Sequence, residues 1–137
     1  MWTCLWRKAA LLCAFLCLGA TGCRKPAANY VIPPEEASRP NPFPMTPDTV
    51  AAGRKAYDGT DCALCHGIAG DGKGSLTRDM KYNTRDWRDP ASLKNFSDGE
   101  LFYIVSRGKG AMPGYVDRDT PEHLWQMVSY LRSFARP

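Results

Sequence analysis

Cys62-Ala-Leu-Cys65-His66 constrains this chain more than any other feature of its 137 residues. Two thiols three positions apart, with an imidazole directly after the second, is the spacing of c-type haem attachment. One turn carries both sulfurs to the two vinyl groups of a single haem. The adjacent imidazole then comes up beneath the iron as an axial ligand. Rival chemistries ask for more than the sequence holds. A thioredoxin-like dithiol wants a strand before it and a helix after it in a βαβ setting, which is absent around Cys62. A zinc site needs a second pair of ligands, and His123 is the only other histidine. The motif predicts one haem c, bound through two thioethers at Cys62 and Cys65, with His66 on the iron.

The other cysteines belong to a different part of the chain. Cys4, Cys13, Cys17 and Cys23 all precede residue 24, so no disulfide framework is left for the remainder. Residues 1–22 combine Arg7 and Lys8, an apolar run over 9–18 and the small residues 19–22. That is the layout of an export signal peptide. The run is shorter than the roughly 20 residues of a membrane span, which makes an uncleaved anchor the lesser alternative. Leu18-Gly-Ala-Thr-Gly-Cys23 resembles a bacterial lipoprotein signal, with Ala20 where that family usually has leucine. The resemblance implies lipid on Cys23 and a membrane anchor.

Residues 23–47 then read as a proline-rich tether: Pro26, Pro33, Pro34, Pro40, Pro42, Pro44 and Pro47 fall within it. Proline removes backbone donors and fixes φ, so an inner strand or a packed helix is not expected there. In extended polyproline form such a stretch reaches about 75 Å. The alternative is that Tyr30, Val31, Ile32 and Phe43 dock on the domain or on a larger complex; the sequence leaves these open.

From 48 to 137 the composition turns globular. Thr46-Pro47-Asp48 and Thr120-Pro121-Glu122 are helix starts, with a threonine cap, proline in the first turn and an acid beside it. Ser97-Asp-Gly-Glu100 is a capping box. Val50, Gly53 and Tyr57 share a face of the first helix; Leu124, Met127, Val128 and Leu131 share a face of the last. No segment alternates with period two. The expectation is an all-α domain of short helices, with too few apolar side chains for a core of its own. A large flat cofactor supplies what is missing.

The iron needs a sixth ligand, and methionine sulfur opposite histidine raises the reduction potential. Met127 falls on the apolar face of the last helix. Met80 lies in a polar stretch. Met112 sits in Gly108-Lys-Gly-Ala-Met-Pro-Gly114, where glycines allow close backbone approach and Pro113 stiffens the segment. Met112 is favoured, with Met80 as the alternative.

These residues together resemble a class I monohaem cytochrome c over essentially all of 48–137. The likeness rests on Gly53, Tyr57, the Cys62–Gly67 motif, Gly70-Asp-Gly-Lys-Gly74, Met112-Pro113 and the aromatic closing helix around Trp125 and Tyr130. It implies crossing first and last helices, His66 and Met112 as axial pair, and electron transfer rather than enzymatic turnover. The setting it implies is a periplasmic respiratory or photosynthetic chain on a bacterial membrane. Two other readings are a fixed haem subunit of a membrane oxidoreductase and a five-coordinate haem sensor or peroxidase. One departure stands out. Ser75 follows Gly74 where the family commonly has proline, whose carbonyl braces the proximal histidine; a serine carbonyl can accept the same bond.

The formal charge of +4 is spread along the chain, without the clustered basic stripe of a nucleic-acid binder. Redox proteins at or near the membrane are the expected partners. Arg85, Trp87 and Arg88 are possible donors to haem propionates. Lys73, Lys81 and Lys109 are expected near the exposed haem edge, and His123 is expected to be solvated or capping.

Overall fold

A computed structural model describes residues 30–135; the proposed leader and Cys23 lie outside them. Among the described residues seven helices follow one another: α1 (Pro34–Ala37), α2 (Pro47–Asp58), α3 (Cys62–His66), α4 (Ser75–Met80), α5 (Pro90–Lys94), α6 (Asp98–Arg107) and α7 (Pro121–Phe134). Among the described residues there is no strand, only an isolated bridge pairing Lys109 with Met112. The all-α expectation holds.

The three long helices begin where their caps direct. Thr46 accepts from Thr49 N–H at 3.2 Å and Pro47 occupies the first turn of α2. Thr120 accepts from His123 N–H at 3.2 Å, followed by Pro121, to open α7. At α6 the capping box is complete: Ser97 Oγ accepts from Glu100 N–H, and the Glu100 carboxylate accepts from Ser97 N–H. Each cap satisfies a donor the first turn would otherwise leave open, worth about 1 kcal/mol.

α2 crosses α7 at Gly53. A β-carbon there would fall onto the Gln126 carbonyl, so the two backbones meet with nothing between them. Tyr57, one turn further along α2, is fully buried. It meets Tyr130 of α7 edge-on, ring centroids 5.4 Å apart. Leu124, Met127, Val128 and Leu131 bury the apolar face of α7, and Phe102 of α6 stacks on Trp125 at 4.1 Å. Burying each such side chain contributes about 1.5–3 kcal/mol.

Residues 30–47 do not stand off as a tether. They run along α6 and α7 as a strap. Tyr30 packs edge-on to Tyr103, and Ser97 Oγ donates to the Ala37 carbonyl at 2.5 Å. The Arg39 guanidinium lies over the stacked Phe102 and Trp125 rings, at 5.0 and 5.3 Å. Asn41 Nδ2 donates to Trp125 O at 3.2 Å and to Ser129 Oγ at 2.9 Å. Phe43 packs on the core. The prolines forbid an inner strand, as expected, but three of them frame a one-turn helix, α1, and docking replaces free reach.

Candidate functional site

α3 is a single turn that brings Cys62, Cys65 and His66 to one cavity of about 510 Å³. Its backbone is pinned from all sides. The Cys65 carbonyl accepts from Gly74 N–H at 3.1 Å and from Thr77 Oγ1 at 2.7 Å. The His66 carbonyl accepts from Gly72 N–H at 2.9 Å, and the Gly67 carbonyl from Tyr57 Oη at 2.6 Å. The glycine loop 70–74 and α2 thus fix the turn that carries the motif.

Apolar side chains line the inner part of the cavity: Leu93 from α5, Leu101, Ile104 and Val105 from α6, Leu131 from α7. Met112 enters from the loop between α6 and α7 and is half-buried at the same cavity. The turn carrying it is closed by reciprocal bonds between Lys109 and Met112, 3.0 and 3.1 Å long. Gly108 begins that turn at φ 78°, a conformation that side chains disfavour, and a β-carbon there would meet the Met112 carbonyl.

Met80 and Met127 are elsewhere. Met80, the alternative, ends α4 at 55% exposure and does not line the cavity. Met127 is core, 1% exposed, as its helical face predicts. The four residues expected at the site, Cys62, Cys65, His66 and Met112, are therefore gathered around one space.

Electrostatics suit metal ligation. Burial pushes the His66 imidazole down to about 4, so it is neutral at pH 7 with a lone pair to give. Its Nδ1 is buried without a hydrogen-bond partner. Cys62 and Cys65 are both free thiols. Burial pushes the Cys62 thiol up, against the lowering effect of a hydrogen bond from Thr60. Two free thiols, a neutral imidazole and a thioether side chain around an apolar cavity are the donor set a haem c requires; the residues fit the group.

The finer expectations come out unevenly. Ser75 opens α4, and its carbonyl does not brace His66 Nδ1, which has no partner. Trp87 is buried and stacks on the His66 ring. Arg85 does line the cavity, with its guanidinium over Phe96 at 5.0 Å. Arg88 is turned to Asp86, 2.6 Å away, and holds that carboxyl down at about 2. Of the three lysines only Lys109 lines the cavity. His123 pairs with Asp119 at 2.7 Å at the exposed start of α7. Tyr115 is a residue the sequence reading passed over: it is 3% exposed, lines the cavity and faces the Cys62 sulfur. The signal was present, an aromatic three positions after Met112 in the same short loop.

A helical fold of this kind around a Cys-x-x-Cys-His turn is that of a class I cytochrome c. Residues 48–131, more than half of the chain, match the family described as cytochrome c oxidase, cbb3-type, subunit III, and the chain belongs to that family. Such membership implies a covalently held haem c. The chain is 31% identical over 87 residues to chloroplastic cytochrome c6 of Chlamydomonas reinhardtii, a match covering 60% of this chain and 52% of that protein. It thus spans about half the length of that relative.

Among solved structures, the fold resembles the reducing HAO-like protein complex Kustc0457/Kustc0458 of Kuenenia stuttgartiensis. That likeness has a TM-score of 0.61 and 21% identity over 69% of this chain and 47% of that one. It also resembles the KustC0563 c-type cytochrome, with a TM-score of 0.54 and 25% identity over 61% and 98%. Cytochrome CL of Methylophaga aminisulfidivorans is similar at a TM-score of 0.51 and 24% identity, over 65% and 57%.

Proposed function

We propose that this protein is an electron carrier with one haem c, attached through Cys62 and Cys65 and ligated by His66 and Met112. The observation that carries the reading is the convergence of these four side chains on a single cavity. Bound there, the haem supplies a reversible one-electron couple. The chain does the rest. A rigid α3 presents His66 as a neutral ligand, and the Gly108–Gly114 turn presents a soft sulfur that favours the ferrous state. The apolar walls exclude water, so little rearrangement accompanies gain or loss of the electron. No substrate pocket is required, which separates a carrier from a sensor or peroxidase with an open iron position.

The export-type leader supports a place on the periplasmic side of a bacterial membrane, in a respiratory or photosynthetic chain. Lipid on Cys23 would hold it there. Among the described residues no helix is long and apolar enough to cross a membrane. Redox proteins in or near that membrane are the partners. The family's description favours a second reading, a fixed haem subunit of an oxidoreductase complex.

Maturation in an export-competent host tests these points together. One haem per chain by pyridine haemochrome, resistant to acid–acetone extraction and lost in Cys62→Ala/Cys65→Ala, is the expected result. Extractable haem would contradict it. Acyl label on the wild type but not on Cys23→Ala supports the anchor. Co-purification with membrane partners in mild detergent would favour the fixed subunit over the free carrier.

A further inference from the structure

Every carbonyl of the Cys65–His66–Gly67 stretch has a donor, yet the His66 ring has none on its buried Nδ1. What meets the ring instead is Trp87. The two rings stack with centroids 4.1 Å apart and 18° between planes. Trp87 is itself held: it is 6% exposed, and its backbone N–H donates to the Gly70 carbonyl at 2.8 Å. Its far surroundings are Tyr57 and Phe134, at 6.0 and 5.9 Å. The glycine loop that pins the His66 carbonyl therefore also pins the backbone of the residue whose indole faces the His66 ring.

A metal-bound histidine ordinarily gives its second N–H to a carbonyl or carboxylate, which fixes ring rotation and makes the ligand more basic. Here a π-face meets the ring, and no acceptor meets Nδ1. We propose that Trp87 is the positioning residue of the proximal ligand: its indole sets the rotation of the His66 imidazole and, by packing on the ring, keeps Nδ1 turned into its buried site. The inference rests on His66 as iron ligand. An imidazole with no acceptor at Nδ1 is less basic and stabilises ferric iron less, so the stack works in the same direction as a methionine ligand.

The test compares the holoprotein with Trp87→Phe, Trp87→Leu and Phe134→Leu. Three quantities are read: ferric low-spin EPR g-values, midpoint potential and denaturation midpoint. Trp87→Phe keeps a stacking ring and is expected to keep one low-spin species with near-native g-values. Trp87→Leu is expected to give a broadened or split low-spin signal and a lower midpoint potential, as the ring turns and Nδ1 leaves its buried site. Phe134→Leu removes a neighbour of Trp87 without touching His66, and is expected to lower stability alone.

Trp87→Leu with native g-values and potential, however unstable, would make Trp87 a core residue only and overturn the proposal. So would a Phe variant displaced as far as the Leu variant. Where Trp87→Leu fails to accumulate, NMR of the wild-type ferrous protein decides. An NOE between the Trp87 and His66 rings is expected, and a slowly exchanging Nδ1–H bonded to a backbone carbonyl overturns the idea. His66→Ala with an unaltered haem spectrum would remove the ligand assignment itself, and this inference with it.

Discussion

Gly53 of α2 and Gln126 of α7 meet backbone to backbone, and that contact holds the two ends of the domain together. Since α2 leads directly into the Cys–His turn and α7 supplies the wall at Leu131, their crossing also sets the width of the cavity. Gly53→Ala forces two main chains apart. Overpacking costs about 1–3 kcal/mol, and the absence of any flexible atom to yield puts this site at the upper end. The gain in helix propensity, about 1 kcal/mol, does not offset it. A lower guanidinium midpoint for the holoprotein is expected; an unchanged midpoint would mean that the crossing tolerates a side chain.

The strap gives a second prediction. Asn41→Ala removes hydrogen bonds to Trp125 O and Ser129 Oγ, a loss of about 1–2 kcal/mol. It touches nothing at the cavity, so the haem spectrum should stay native while limited proteolysis within 30–46 accelerates. Equal cleavage of variant and wild type would argue for a loose segment, the alternative that proline content alone suggests.

Without haem the domain should not hold. Without the cofactor the apolar side chains around that space, among them Leu93, Leu101, Val105 and Leu131, lose their packing partner to water, and each is worth about 1.5–3 kcal/mol when fully buried. A few such losses are comparable to the whole stability of a small domain, about 5–15 kcal/mol. Cys62→Ala/Cys65→Ala should therefore show little helical circular dichroism and no cooperative melt. A native-like apo spectrum would mean that the apolar walls pack without the cofactor.

Much of this arrangement can be read before any coordinates. Thr46, Ser97 and Thr120 announce their helices because a cap is a local matter between residues three apart. Cys62, Cys65 and His66 are legible for the same reason, since their chemistry is set by spacing. Met112 over Met80 is legible from neighbours: glycines and a proline make a turn, whereas Met80 ends a short polar helix.

What escapes is long-range. Asn41 reaches residues more than eighty positions away, which no proline count reveals. That Trp87 lies on the His66 ring, twenty-one positions away, is likewise set by the fold and not by any local pattern. The Ser75 carbonyl looks free to brace His66 until Ser75 proves to begin a helix. α4 and α5 leave no mark in the sequence because, at six and five residues, they are too short to show a repeat.

The central claim is that His66 and Met112 together hold the iron. It is tested most directly by absorption spectra of the matured holoprotein in both oxidation states, with Met112→Ala and Met80→Ala beside it. The account predicts the weak red band of ferric iron bound to methionine sulfur in the wild type and in Met80→Ala, and its loss in Met112→Ala. A high-spin wild-type spectrum without that band, or loss of the band in Met80→Ala alone, would contradict it.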